Sequence, residues 1–467
     1  MSACKIRFGT DGWRAVIADG FTVERVKQVA QASAQVLAAT FPGDHIVVGY
    51  DHRFLSEQFA AEAAAAVAAL GIPVHLSQGA APTPAFSWAV RQQGSHGALV
   101  ITASHNPPEY SGMKVKGSFG GSIGSDLTQQ IEQILEQSTL PMAHPSPAPI
   151  TSFDPWPDYC AQLSRHVDLE KLRRSPAKVW VDVMHGSGAG GMARLLGSHV
   201  EERRANRDPL FGGYAPEPLP KALAETMQMI AQTPHPLKVG LVFDGDADRI
   251  AAIDGQGRFL SPQILIPILI EHLAERRGWR GEVVKTVSGS ELFRKVADRY
   301  HLPVTETPVG FKYIAERMMT TPVLLGGEES GGIGYLNHMP ERDAMLSALY
   351  LLEAVADTGL DLSQIYATIQ NQVAYHSVYR RRDLRLLDPL QPHRLLQQLH
   401  QDPPQALLGQ PVLRHFSQDG HKFSLGDGSW LMIRGSGTEP LLRLYAEAED
   451  LDRAEALLNW AETWATP

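Results

Sequence analysis

Four short segments of this chain combine reactive side chains with the residue types that build tight turns. The first is Thr102-Ala103-Ser104-His105-Asn106-Pro107-Pro108, directly after the apolar run 97–101. A serine on a rigid, proline-stopped turn suits a nucleophile, a phosphate carrier or an ordinary turn residue, because Ser, Asn and Pro are all common turn formers. The second is Asp244-Gly245-Asp246-Ala247-Asp248-Arg249, after the apolar run 239–243. Three carboxylates at alternate positions of a tight loop can converge on one hard cation, and oxygen-only ligands point to Mg2+. An EF-hand does not fit, since the sixth position is Arg249 instead of Gly and the twelfth is Gly255 instead of Glu. The third is Gly326-Gly327-Glu328-Glu329-Ser330-Gly331-Gly332. Its glycines allow close backbone approach, and in an extended loop Glu328 and Ser330 point the same way, which suits vicinal sugar hydroxyls. The fourth is Arg434-Gly435-Ser436-Gly437-Thr438-Glu439-Pro440. An arginine fork, two hydroxyls and glycine-freed backbone N–H groups make an anion cradle, or simply a hairpin turn. Together they describe an enzyme acting on phosphorylated sugars.

The elements around these segments must deliver them to one place. In open α/β sheets, ligands bind beyond the carboxyl ends of strands, and the first three segments each follow a strand-like run. A unit of strand, polar loop, helix, strand and proline loop occurs three times. It begins at 46–51 and runs to Pro82 and Pro84, begins again at 178–183 and runs to Pro216 and Pro218, and begins a third time at 282–287 and runs to Pro308. A repeat this long predicts tandem domains with parallel pairing through right-handed crossovers. Two linkers stand out, a proline-rich one at 145–149 and a hairpin turn at 254–257 between strand-like runs at 250–253 and 259–260. Beyond about residue 375 the repeat stops. Short strands at 422–425, 430–433 and 441–446 and a closing helix near 452–463 predict a smaller α+β domain. The expected fold class is therefore α/β, with three tandem domains of related topology (1–149, 150–255, 256–374) and a C-terminal α+β domain (375–467).

Composition narrows the function. The chain has 467 residues, with 42 Lys plus Arg against 51 Asp plus Glu, a net charge of −9. That argues against wrapping nucleic acid or an anionic membrane. Two cysteines, Cys4 and Cys160, match no zinc or disulfide pattern. The N-terminal residues lack a signal-like apolar stretch, and the most apolar window, 264–270, is too short to span a bilayer and contains Pro267. The expectation is a soluble, cytoplasmic protein. Arg380-Arg381-Arg382 reads as a solvated face.

Taken in order, from Phe8-Gly9-Thr10-Asp11-Gly12-Trp13-Arg14 to the Arg434 segment, these motifs closely resemble the α-D-phosphohexomutase family over nearly the whole chain. The resemblance implies a heart-shaped four-domain monomer, with a dimer as the alternative, in which each domain lends one loop to a central cleft. It implies that Ser104 is the phosphoserine, and that Asp244, Asp246 and Asp248, joined by the phosphate on Ser104, hold Mg2+. It implies that Glu328 and Ser330 grip two sugar hydroxyls, and that Arg434, Ser436, Gly437 and Thr438 hold the non-reacting phosphate. Arg14, His105, Lys114, Arg249 and Lys312 match basic residues around the reacting phosphate, and Gly310 lies in the Lys312 segment. Lys114 or Lys312 is the expected general base, since neighbouring cations can lower a lysine's pKa. The implied activity interconverts hexose 1-phosphate and hexose 6-phosphate through a hexose 1,6-bisphosphate, with glucose 1,6-bisphosphate as activator or intermediate.

Two positions depart from the family pattern. Ser111-Gly112 stands where Asn-Gly is usual, and Gly332 stands where some members have histidine. Glu-Glu-Ser-Gly-Gly resembles glucose-handling members more than the Glu-Gln-Ser-Gly-His of phosphoglucosamine mutases. Glucose is therefore the expected sugar, with mannose beside it. A glucose-1,6-bisphosphate synthase using the same phosphoserine, an Mg2+-dependent phosphatase and a non-catalytic protein on a mutase scaffold are the rival readings.

Overall fold

The computed structural model describes residues 5–9, 11–137, 146–386, 388, 390–435 and 441–466. Its strands in the first domain are β1 (Trp13–Val16), β2 (Ile46–Tyr50), β3 (Val74–Ser77), β4 (Gly97–Ile101), β5 (Tyr110–Gly117) and β6 (Ile150–Phe153). They form one sheet in the order β1-β5-β4-β2-β3-β6. The second domain has β7 (Lys178–Asp182), β8 (Val200–Arg203), β9 (Lys238–Phe243), β10 (Ile250–Ile253) and β11 (Phe259–Leu260), in the order β11-β10-β9-β7-β8. The third has β12 (Glu282–Thr286), β13 (Val304–Thr307), β14 (Val323–Gly327) and β15 (Ile333–Tyr335), in the order β13-β12-β14-β15.

One four-strand pattern underlies all three sheets. Two parallel crossovers place β3 and β4 on either side of β2, β8 and β9 on either side of β7, and β13 and β14 on either side of β12. The next strand then returns antiparallel: β5 on β4, β10 on β9 and β15 on β14. The expected parallel pairing through crossovers is present in each sheet, and the antiparallel return is added to it. A strand can come straight back only through a short turn, since a parallel return would need a long crossover. That turn is Ser104's in the first domain, the aspartate loop in the second and the Glu328 loop in the third. The chemistry-bearing segments are therefore topological equivalents.

Burial follows from the layers. β4, Gly-Ala-Leu-Val-Ile, is buried along its whole length, as a strand covered on both faces must be. The helix Val23–Thr40 packs Val26, Val29, Ala30 and Leu37 inward and starts at Thr22, whose side chain accepts from Arg25 N. The largest apolar cluster is shared between domains, running from Phe86 and Trp156 through Phe243 and Ile266 to Leu349. The apolar window at 264–270 is part of a buried helix, Pro262–Glu271, in that cluster. Among the described residues no helix is long and apolar enough to cross a membrane.

Two of the sequence-derived boundaries shift. β6 falls just past residue 149 but pairs with β3, so the first sheet extends to Phe153. β11 falls past residue 255 but closes the second sheet against β10, as the hairpin turn at 254–257 predicts. β6, Ile-Thr-Ser-Phe, carries too little sequence signal to be assigned to a sheet before its partner is known.

The C-terminal domain has β16 (Val378–Arg385), β17 (Ala406–Leu407), β18 (Gln410–Phe416), β19 (His421–Leu425), β20 (Trp430–Gly435) and β21 (Leu441–Ala448), with the helix Leu451–Ala465 packed on one face. The run Arg380-Arg381-Arg382 is the middle of edge strand β16, not merely a solvated face. Arg382 pairs with Glu455 and Glu462 of that helix at 2.6 and 2.5 Å, and Arg381 with Asp383 at 2.8 Å. Long charged side chains with partners across an edge make a stable strand that apolar alternation does not reveal.

Candidate active site

Ser104 sits just beyond β4 in a left-handed turn, with φ at +52°, a conformation that costs a non-glycine residue strain. Its Oγ donates to Asp244 Oδ2 at 2.9 Å, and His105 Nδ1 lies 3.3 Å from the same Oγ. The aspartate loop can come this close because residue 245 is glycine. A Cβ there would lie 2.5 Å from the Ser104 carbonyl oxygen.

The three aspartates are fully buried, and one ligand oxygen from each lies within 4.8 Å of the others. Among the described residues no other His, Cys, Asp or Glu group converges this way. Asp244 Oδ1 accepts from the Asp248 and Arg249 amides. Asp246 Oδ2 accepts from Thr83 Oγ1 at 2.6 Å, which ties the proline loop before the helix Thr83–Gln93 to the cluster. Asp246 Oδ1 and Asp248 Oδ1 are buried with no hydrogen-bond partner. Orphaned carboxylate oxygens are costly unless something positive meets them. With an acidic oxygen set and a hydroxyl beside it, the site fits a hard divalent ion such as Mg2+. Burial and the charges of Asp246 and Asp248 hold the Asp244 carboxyl well above the usual range, with Arg249 and Lys114 opposing the rise.

Cations from three elements surround this cluster. Lys114 of β5, fully buried, reaches Asp11 at 2.9 Å, Asp246 at 2.8 Å and Asp248 at 2.6 Å. Burial alone would lower its pKa, but those three carboxylates raise it above the ordinary lysine value. The cationic neighbours on which a general-base role for Lys114 or Lys312 rests are outweighed at Lys114, where Arg342 opposes the three acids. Arg14 of β1 donates to Asn106 Oδ1 at 2.6 Å, on the serine turn. Arg249 closes the aspartate loop; burial opposes its charge, but Asp248 and Asp244 hold its pKa above the ordinary value. His105 does not join the cations. Burial, with Arg249, Arg14 and Lys114 adding to it, pushes its pKa well below the ordinary histidine value, so the imidazole is neutral at pH 7.

The Glu328 loop is stitched directly to the aspartate loop. Ile250 N donates to Gly331 O at 3.0 Å, and Arg249 and Gly332 form an isolated antiparallel bridge. Glu328 is buried, and burial pushes its carboxyl up to about 7, with Arg342 opposing and Glu329 adding to the rise. Ser330 occupies the turn before Gly331. Gly310 caps the N-terminus of the helix Phe311–Thr320 with φ at +134°, and Lys312 in its first turn lines a cavity with Gly9, Asp11, Gly12 and Ser122. Arg434 ends β20, where its Nε donates to Asp419 at 2.8 Å. The other oxygen of Asp419 accepts from Val309 N, linking the C-terminal sheet to the third proline loop. Ser436, Gly437 and Thr438 lie outside the described residues.

Several residues of the site carry no motif that marks them in the sequence. Arg342 is almost fully buried and pairs with Asp11, with Asp248 at 2.7 Å and, more loosely, with Glu328 at 3.7 Å. It thereby joins the first domain, the aspartate loop and the Glu328 loop. Its Cδ lies where a Cβ on residue 332 would be, 2.2 Å away, so Gly332 and Arg342 require one another. Lys116 pairs with Glu341 and donates to Ser122 at 2.9 Å. Arg443 stands opposite Arg434 across β20 and β21, with its Nε buried and unpartnered. The run Glu341-Arg342-Asp343 is visible in the sequence, but charged triplets usually mark exposed loops, and nothing local marks this one as buried.

The chain matches the family descriptions of phosphoglucomutase/phosphomannomutase α/β/α domains I, II and III over residues 5–142, 157–257 and 261–372, and of the C-terminal domain over 396–459. It is 30% identical to a phosphoglucosamine/phosphogalactosamine mutase of Sulfurisphaera tokodaii, covering 97% of each chain. It is 26% identical to a phosphoglucomutase/phosphomannomutase of Thermococcus kodakarensis, covering 97% of this chain and 96% of the other. A crystal structure of a protein from Thermus thermophilus, named for phosphomannomutase, superposes with a TM-score of 0.86 at 34% identity over 100% of both chains. With four domains matched in order and this arrangement of serine, aspartates and glutamate, the chain belongs to the α-D-phosphohexomutase (phosphoglucomutase/phosphomannomutase) family.

Proposed function

We propose that this chain interconverts hexose 1-phosphates and hexose 6-phosphates, with glucose the main sugar and mannose also accepted, through a phosphoryl group carried on Ser104 and a hexose 1,6-bisphosphate. The observation that carries the reading is the 2.9 Å approach of Ser104 Oγ to Asp244, in a carboxylate trio with two unpartnered oxygens. Asp244, Asp246 and Asp248 would hold Mg2+, which when bound neutralises and orients phosphoryl oxygens.

The chain's own residues account for the remaining tasks. Arg14, Arg249 and Lys114 balance the nearly two negative charges of a phosphoserine. Glu328 and Ser330 bind sugar hydroxyls, while Arg434, Ser436, Gly437 and Thr438 hold the distal phosphate, with Arg443 on the same strand pair. In transfer, the bond from Ser104 Oγ to phosphorus breaks as the free sugar hydroxyl bonds to phosphorus. The hydroxyl proton ends on the departing Ser104 Oγ, and His105, whose Nδ1 is 3.3 Å from that oxygen, is placed to hand it over. The bisphosphate then turns over and returns its other phosphoryl group to Ser104. The substrates are small phosphorylated sugars, and the chain acts as a monomer.

The preference for a neutral sugar is supported by Arg342. It faces Glu328 at 3.7 Å, which offsets part of that carboxylate's attraction for a protonated amine. The relatives favour a second reading, because several at 26–31% identity are named phosphoglucosamine mutase. Purified protein with Mg2+ and a trace of glucose 1,6-bisphosphate, tested on glucose, mannose and glucosamine 1-phosphates, separates the two. Fastest turnover of glucosamine phosphate would replace the glucose reading. Accumulation of bisphosphate from a bisphosphate donor, without isomerisation, would mark a synthase.

A further inference from the structure

We infer that Arg53 is a positioning residue for the phosphoryl-carrying serine, acting from beneath its turn; the inference rests on the mutase reading above. Arg53 lies outside every motif that pointed to chemistry, yet it is completely buried. Its Nη1 donates to the carbonyls of Pro107 and Tyr110, both at 2.9 Å, and its Nη2 to those of Ser104 at 2.7 Å and Asn106 at 2.6 Å. Its Nε faces Asp51 Oδ2 at 3.3 Å. One guanidinium thus gathers four carbonyls of the turn that holds Ser104 in its left-handed conformation.

Four carbonyl dipoles directed at one buried point repel one another unless a planar, multi-donor cation fills it. A lysine ammonium, with three donors and no fork, cannot reproduce the pattern. The arginine is itself held from the second domain. The Phe211 ring lies 5.0 Å from its guanidinium carbon, and Arg207 donates to the carbonyls of Arg53 and His52 at 3.2 and 3.3 Å. The domain that carries the aspartate loop therefore also grips the residue that sets the serine turn. Through Arg53, the distance from Ser104 Oγ to Asp244 is fixed by the packing of the two domains as well as by the hydrogen bond between them.

The test uses full-length Arg53→Lys and Arg53→Ala proteins, with hydrogen exchange followed by mass spectrometry as the first readout. Exchange should quicken in the peptide spanning 103–110 while β2 and β4 keep their protection. Phosphorylation of Ser104 by glucose 1,6-bisphosphate, followed by intact mass, should slow. kcat should fall by about 100-fold with KM within about threefold, the pattern of a misplaced reacting group. Guanidinium ion below its denaturing range should restore part of the rate to Arg53→Ala. Even loss of protection across the first domain, or kcat within about threefold of the parent, would overturn the proposal. If Arg53→Ala does not fold, Arg53→Lys and the surface change Arg207→Ala decide, with the same local loosening expected. A parent protein without phosphotransfer to any sugar phosphate would instead sink the mutase reading and leave the exchange result to stand alone.

Discussion

Ser104 Oγ and Asp244 Oδ2 meet at 2.9 Å across the seam between the first and second α/β domains. The two residues are 140 positions apart, and each lies in the turn between a parallel strand and its antiparallel successor. Neither domain holds both groups, so the Ser104 hydroxyl and the three aspartates come together only when the domains pack. Ser104→Ala should abolish phosphorylation of the protein by glucose 1,6-bisphosphate and reduce isomerisation to background, with unchanged folding by circular dichroism. Gly245→Ala should act on the same seam without touching either group. A methyl 2.5 Å from the Ser104 carbonyl forces the loops apart and costs about 1–3 kcal/mol of stability. Phosphorylation of Gly245→Ala at the parent rate would show that the close approach is dispensable.

Metal should bind where the orphaned oxygens are. Titration with Mg2+ should raise the melting temperature, since a ligand at about 100 times its Kd stabilises the native state by about 2.7 kcal/mol. Asp246→Asn and Asp248→Asn should each blunt the rise, because each removes charge from a residue with an unpartnered oxygen. Chelator should stop turnover and added Mg2+ restore it. An equal Mg2+-dependent shift in both variants and the parent would place the ion elsewhere.

Much of this candidate site can be read in the sequence because its reactive residue types sit in turns, where glycine and proline mark them out. Ser104, the three aspartates and Glu328 are legible that way, and the apolar runs before them mark β4, β9 and β14 nearly to the residue. The residues that hold the site together are not legible. Arg53, Arg342 and Lys116 are buried cations with partners from about 50 to about 330 residues away, and a charged side chain in a sequence reads as surface until its partner is known. The antiparallel returns are hidden for a similar reason. β5, Tyr-Ser-Gly-Met-Lys-Val-Lys-Gly, contains two lysines and looks half-exposed, although Lys114 and Lys116 are both fully buried against acids. The edge strands β6 and β16 carry alternation too weak to show which sheet they join.

Glu328 gives the expected pH dependence. Its carboxyl is pushed up to about 7 in the folded chain from the ordinary 4.5. The native state therefore binds more protons than the unfolded chain between those values. Its contribution to stability is complete below about pH 4.5 and lost as pH rises through 7. Binding should run the other way, because the ionised carboxylate accepts hydroxyl hydrogen bonds more strongly than the acid. kcat/KM for a hexose phosphate should thus rise through about pH 7, and Glu328→Gln should flatten that limb. An unchanged limb in the glutamine variant would assign it to another group.

Arg342 should behave as a junction. Replacing it with methionine leaves Asp11 and Asp248 short of a buried partner, a loss of about 3–5 kcal/mol for a broken buried pair. Arg342→Lys should recover little, since a single ammonium cannot serve Asp11, Asp248 and Glu328 at once. Gly332→Ala should disturb the same junction from the other side by displacing the Arg342 stem. The two changes share one contact, so their effects should be far from additive. A double variant whose stability loss equals the sum of the singles would mean that the pair is not coupled.

Lys114 and His105 make opposite predictions about proton transfer. Lys114 is encircled by Asp11, Asp246 and Asp248 within 2.9 Å, so its main task is to neutralise buried charge. Lys114→Met should lower thermal stability by the equivalent of about 3–5 kcal/mol, and added Mg2+ should recover part of it by meeting the same acids. His105 carries no such ion pairs, and its Nδ1 faces the Ser104 hydroxyl at 3.3 Å. His105→Gln should leave the melting temperature nearly unchanged while kcat falls by roughly 10²–10⁴-fold, the range of a lost acid–base group. The pairing of a stable, slow His105 variant with an unstable Lys114 variant is the expected signature. A stable Lys114→Met protein with the same kinetic defect would return the base to the lysine.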